Sequence, residues 1–98
     1  MNIKERTAYL LAHAVGLAER DGWHTLTHAS IAEVAAVSPS LVKVRLGTIE
    51  SIRRAVMRAA VKQRMPRVVA EGLLAGDKSA RKADEPLRRE CASRVACA

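Results

Sequence analysis

One feature constrains this chain more than any other: two short helices are predicted with only a tight turn between them. Ser38 and Pro39 open the second helix, because serine is a preferred capping residue and proline fits the first helical position. Gly47 ends that helix, since glycine adopts the left-handed conformation without a side-chain clash. The first helix begins at Thr27 and runs to about Ala35. Such a pair has the geometry of a helix-turn-helix.

Helical signals continue on both sides of this pair. Residues 4–20 form one amphipathic stretch that stops at Asp21-Gly22, and Trp23 is expected to pack against it. Thr48 caps a fourth helix, and Pro66 starts a fifth that closes at Gly76. Ala, Leu and Val dominate the 49% of hydrophobic residues, which favours helices over a β-sheet core. We therefore predict an all-α, homeodomain-like helix-turn-helix bundle of four to five helices. The predicted inner face of the first helix is Ala8, Leu11, Ala12, Val15 and Ala18.

The 98 residues fit one folded domain. We assign residues 1–76 to a helix-turn-helix domain, with a dimerisation segment near residues 49–76. Apolar residues there exceed what a small core needs, namely Val68, Val69, Leu73 and Leu74. Residues 77–98 mix charge with Ala and Ser, although Leu87, Cys91 and Val95 lie at four-residue spacing. That composition predicts a basic C-terminal tail, either mobile or weakly helical.

The net charge of +7 is concentrated in one part of the chain. Residues 40–67 hold eight basic residues and one acidic residue, while residues 1–39 are close to neutral. A concentrated positive segment on helices favours a partner rich in phosphate. A solvated helix face is the alternative interpretation.

The sequence offers no pattern typical of an enzyme, a metal site or a membrane protein. His24 and His28 are four residues apart, but Thr25 stands where the zinc motif His-Glu-x-x-His has its general base. There is no glycine-rich phosphate loop and no Cys-x-x-Cys pair, so we expect no cofactor, no metal and no catalysis. Cys91 and Cys97 are interpreted as incidental thiols of a reducing compartment. We expect a cytoplasmic, nucleoid-associated protein with no membrane partner.

Residues 30–38, with the sequence SIAEVAAVS, resemble the N-terminal DNA-binding domain of the tetracycline-repressor family, and the resemblance continues through Leu46-Gly47-Thr48, Glu50 and Ile52. It covers about residues 6–61. It implies a regulator that binds a double-stranded DNA operator as a homodimer. Ala36 and Ser40 stand where the family has glycine, and Lys43 and Val44 stand where it has aromatic residues. Since little chain follows the fourth helix, we expect a short stand-alone regulator of the kind that phages and mobile elements encode, with no small-molecule effector.

The resemblance also implies which residues contact DNA. Thr27 and His28 are expected to contact phosphate groups of the DNA backbone, because helix N-termini favour anions. Thr48 is expected to make the same kind of contact at the start of the fourth helix. The groove-facing set is Ser38, Pro39, Ser40, Leu41, Lys43 and Arg45. Lys43 is the candidate for a guanine edge, and Arg45 for a phosphate or a base. Ser40 and Leu41 are candidates for a backbone oxygen and a thymine methyl group.

Other interpretations of these residues remain open from the sequence. Ser38 caps a helix with or without DNA, Leu41 suits a core, and Lys43 and Arg45 suit a solvated face. Three arginines of the fourth helix either contact DNA or stabilise the surface of the fold or a partner: Arg53, Arg54 and Arg58.

The resulting prediction is a sequence-specific transcriptional regulator, in the simplest case a repressor that occludes a promoter. The alternative is a protein-interaction module that uses the fourth and fifth helices to bind and inhibit another protein. A third hypothesis is non-specific coating of nucleic acid by the basic tail.

Overall fold

The computed structural model describes residues 2–96 of the chain, which form an all-α fold, as predicted. Seven α-helices follow one another in this part, whereas the sequence predicted four to five, and a short 3-10 turn at Trp23–Thr25 joins the first two. The helices are α1 (Ile3–Asp21), α2 (His28–Ala35), α3 (Pro39–Leu46), α4 (Ile49–Lys62), α5 (Pro66–Ala75), α6 (Lys78–Arg81) and α7 (Glu85–Ala96).

Side-chain caps set where most of these helices begin. The hydroxyl oxygens of Thr27, Ser38 and Thr48 each accept a hydrogen bond from the backbone N–H three residues later, which satisfies a donor left free at the helix end. Pro39 and Pro66 occupy the first turns of α3 and α5. These boundaries match the sequence predictions because capping depends on local residues alone.

The inner face of α1 differs from the predicted one. Ala8 and Ala12 are exposed, whereas the large side chains of Leu10 and Leu17 are buried. The buried face comprises Leu10, Ala14, Val15, Leu17 and Ala18. Burying a leucine removes far more apolar surface from water than burying an alanine, so α1 is rotated to bring both leucines inward.

The turn after α1 is fastened to the second half of the chain. Trp23 is buried, as expected, and its indole Nε1 donates to the carbonyl of Arg53 at 2.9 Å. The carboxylate of Glu71 on α5 accepts the backbone N–H of Trp23 at 3.0 Å and lies 2.6 Å from Nδ1 of His24. These contacts tie the approach to α2 to helices α4 and α5.

The C-terminal segment, predicted to be a mobile or weakly helical tail, is helical and packed on the rest of the fold. It forms α6 and α7, and α7 packs on α5 with Leu87 and Cys91 in the core. Asp84 accepts the backbone N–H of Leu87 and pairs with the Arg64 guanidinium at 2.7 Å, which lowers the pKa of its carboxyl group. Burial raises the pKa of the Cys91 thiol. The side chains of Val95 and Cys97 lie outside the described residues.

Packing of α7 also changes the interpretation of the apolar residues on α5. Val68 and Val69 are fully buried within the chain's own core, so they are not available for a subunit contact. The dimerisation segment predicted near residues 49–76 therefore loses two of its four supporting residues. Leu73 is half-buried and Leu74 is 75% exposed.

Within residues 2–96, none of the helices has both the length and the apolar character that crossing a membrane would require.

Candidate nucleic-acid interface

The turn between α2 and α3 holds the two helices in a fixed relation. Ala36 adopts the left-handed conformation with φ 58° and ψ 44°. Its backbone N–H donates to the carbonyl of Glu33 at 3.3 Å, and the N–H of Val37 donates to that of Ala32 at 3.0 Å. Val42 of α3 is completely buried, and α3 packs against both α1 and α2. The turn and this anchor together fix which side of α3 faces outward.

One side of α3 is open to solvent, and we call it the α3 outer face. It consists of the exposed residues Ser38, Pro39, Ser40, Lys43 and Val44. Four of these belong to the predicted DNA-contacting set, and Val44 does not. Leu41 and Arg45, both predicted to face a groove, are half-buried.

The half-buried position of Arg45 follows from helical geometry. Residues 42 and 45 are three apart and so share one side of α3, which places Arg45 on the flank of the buried Val42. Its Nε atom is buried and has no hydrogen-bond partner among the described residues. Lys43 is thus the cation of α3 that projects fully into solvent.

The predicted phosphate contacts are placed close together by a bond that the sequence did not reveal. Nε2 of His28, at the start of α2, lies 2.8 Å from the carbonyl oxygen of Gly47, at the end of α3. This hydrogen bond brings the N-terminus of α2 next to the turn that leads into α4. Thr27 and Thr48 are both exposed there, although each hydroxyl oxygen already accepts a capping hydrogen bond.

The charge of α3 and its two flanking turns is positive, with the exposed Glu33 and Glu50 just beyond them in the chain. Residues 34–49 include Lys43 and Arg45 and no acidic residue. On α4, three exposed cations follow at four-residue spacing and form one row along the helix: Arg54, Arg58 and Lys62. Such a surface suits a polyanion.

Some of the basic residues in this segment serve the fold instead. Nη2 of Arg53 donates to the carbonyl of His24 at 3.1 Å, and Arg64 pairs with Asp84. For Arg53, whose role the sequence left open, the structure shows a contact that holds the turn before α2. The local charge count therefore overstates the number of cations free to meet a partner.

Two features of the site were not predicted. The exposure of Val44 is set by the rotation of α3 against its neighbours, which residue spacing alone did not resolve. The bond from His28 to Gly47 joins residues 19 positions apart and has no local signal. His28 was expected at phosphate on the basis of family resemblance, and this bond already engages its Nε2.

Comparison of the chain with protein-family models, curated proteins and solved structures found no match. The resemblance to the tetracycline-repressor family therefore rests on its motif residues alone.

Proposed function

We propose that this chain is a sequence-specific DNA-binding transcriptional regulator, which represses by occluding a promoter as a homodimer. The observation that carries the proposal is the α3 outer face. It belongs to the second helix of a helix-turn-helix pair, it is exposed, and it combines small hydroxyl residues with Lys43. A helix of this kind fits the major groove of B-form DNA, which is about 12 Å wide.

The proposed contacts divide into those that position the protein and those that read bases. Thr27 and Thr48 lie at the N-termini of α2 and α4, where free backbone N–H groups and the helix dipole favour phosphate. Lys43 donates to the O6 and N7 acceptors of guanine, and Ser40 to a base or a backbone oxygen. Arg45, on the flank of α3, is better placed for a phosphate than for a base.

A homodimer is part of the proposal because one such helix reads only a few base pairs. Two copies related by a twofold axis would present two α3 helices to half-sites about one helical turn, or roughly 34 Å, apart. Leu73 and Leu74 on α5 are the apolar residues that remain accessible for a subunit contact.

Selection of bound duplexes from a random DNA pool, at two salt concentrations, tests the proposal. We expect enrichment of a sequence with two related half-sites. Affinity for it should fall by roughly a thousandfold or more between 50 and 200 mM salt if about six to ten phosphates are contacted. Equal retention of all duplexes would contradict sequence-specific binding.

A variant that removes charge from α7 separates this proposal from non-specific coating. Truncation after Gly76 is unsuitable, because it would also remove the buried Leu87 and Cys91. Replacing the exposed Arg88 and Arg89 by glutamine removes two charges and leaves the core intact. Sequence-specific binding through α3 predicts an unchanged enriched sequence, whereas coating predicts a similar loss of affinity for every duplex.

A protein-interaction module is the second candidate, and the exposure of Leu74 favours it. The burial of Val68 and Val69 weakens it, since they are two of the four apolar residues on α5 that supported it. Partners captured from a lysate should persist after nuclease treatment if this candidate is right, whereas a DNA-binding regulator should lose them.

A further inference from the structure

Val44 is an apolar side chain on the most polar side of α3. It is 72% exposed, while Val42, two residues earlier, is completely buried. Since each residue turns an α-helix by about 100°, these two valines point to nearly opposite sides. A β-branched residue at an exposed helical position lowers helix propensity and buries almost nothing, so Val44 contributes little to folding. Single exposed apolar residues are common, but this one lies on the α3 outer face, where it is available to a partner of that face.

The neighbours of Val44 restrict what could cover it. Ser40 is one turn earlier on the same side and Lys43 is adjacent, and both are exposed. Residues 34–49 contain no acidic side chain. An occupant that suits Val44, Ser40 and Lys43 together offers a small apolar group beside hydrogen-bond acceptors and negative charge. The major groove of DNA has this combination at a thymine, whose C5 methyl group lies among base acceptors and between two rows of phosphates.

We propose that Val44 contacts the C5 methyl group of a thymine and thereby specifies an A·T pair in the half-site. The inference rests on the proposed function and adds a specificity-determining residue to it. The thymine contact was expected of Leu41, but Leu41 is half-buried and Val44 is the exposed apolar residue of α3. Lys43 would then contact the neighbouring base pair, and the two side chains would read adjacent positions.

Deoxyuridine tests this contact, because it pairs like thymine but lacks the methyl group. Each thymine of the selected duplex is replaced by deoxyuridine in turn, and the affinity of the wild-type chain is measured for every duplex. At one symmetric pair of positions we expect a loss of about three- to fivefold per half-site, as for the exposure of one buried methyl group. Val44→Ala should bind the thymine and deoxyuridine duplexes equally well.

Ile3→Ala provides the matched control, since Ile3 is similarly exposed at 65% but lies at the start of α1, away from the α3 outer face. This variant should keep the preference for thymine. Circular dichroism should show that Val44→Ala is folded, because the side chain packs against little.

The possible failures are distinguishable. If the chain selects a specific duplex but deoxyuridine changes no affinity, or if Val44→Ala still prefers thymine, the assignment of Val44 is overturned and the proposed function stands. If no duplex is selected, the proposed function fails and the role of Val44 fails with it.

Discussion

Within the candidate site, Ala36 has a backbone conformation that is unfavourable for a residue with a side chain. It ends α2 in the left-handed conformation, with φ 58°. For a residue with a Cβ atom this conformation costs about 1–2 kcal/mol, because the Cβ approaches the following carbonyl oxygen. The turn retains the cost since it closes two backbone hydrogen bonds and sets the direction of α3.

Glycine at this position should therefore stabilise the protein. We expect Ala36→Gly to raise the free energy of unfolding by about 0.5–1 kcal/mol, after subtraction of the greater chain entropy of glycine in the unfolded state. Ala12→Gly, at an exposed position inside α1, is the control and should lower it by about 1 kcal/mol. Urea denaturation measures both. Equal destabilisation by the two substitutions would show that the turn does not require the left-handed conformation.

Single residues also show where prediction from sequence succeeded. Ser38, Pro39 and Gly47 were assigned correctly because a cap or a helix stop depends on a few neighbouring residues. The sequence left open whether Leu41 faces the core and did not single out Val44, because their exposure depends on how α3 is rotated against α1 and α2. The sequence thus predicted four of the five exposed residues of the α3 outer face, but not the exposure of Val44 or the partial burial of Leu41 and Arg45.

Among the described helices, α6 was not predicted, and α7 was predicted only as the alternative to a mobile tail. Leu87, Cys91 and Val95 have helical spacing, but three apolar positions are too few to distinguish a packed helix from a charged tail. Leu87 and Cys91 are buried because α7 packs on α5, which lies earlier in the chain. The same contact explains the apolar density at Val68 and Val69, which had been interpreted as a subunit interface.

The packing of α7 makes the reactivity of Cys91 a direct probe. A thiol must reach solvent as the thiolate to react with a disulfide reagent, and burial both covers Cys91 and raises its pKa. In a Cys97→Ser background at neutral pH, we expect Cys91 to react at least about tenfold more slowly in the native chain than in denaturant, since reaction requires α7 to open. A native rate equal to the denatured rate would mean that α7 does not stay packed on α5.

For the molecule as a whole, the distribution of charge matters more than the net charge of +7. Arg53 and Arg64 are engaged in contacts that hold the fold together. Lys43 and the α4 row of Arg54, Arg58 and Lys62 remain exposed. The basic segment was located correctly from the sequence, whereas its division into structural and free cations required the tertiary contacts.

The central claim is that the α3 outer face distinguishes one DNA sequence from another, and a single pair of variants tests it most directly. Lys43→Ala and Lys82→Ala each remove one exposed positive charge, the first on α3 and the second between α6 and α7. The measurement is the ratio of affinities for the selected duplex and a scrambled duplex. We predict that Lys43→Ala lowers this ratio roughly 5- to 150-fold, which corresponds to a loss of about 1–3 kcal/mol of discrimination. Lys82→Ala should leave the ratio unchanged. Equal ratios for both variants and the wild-type chain would contradict the account.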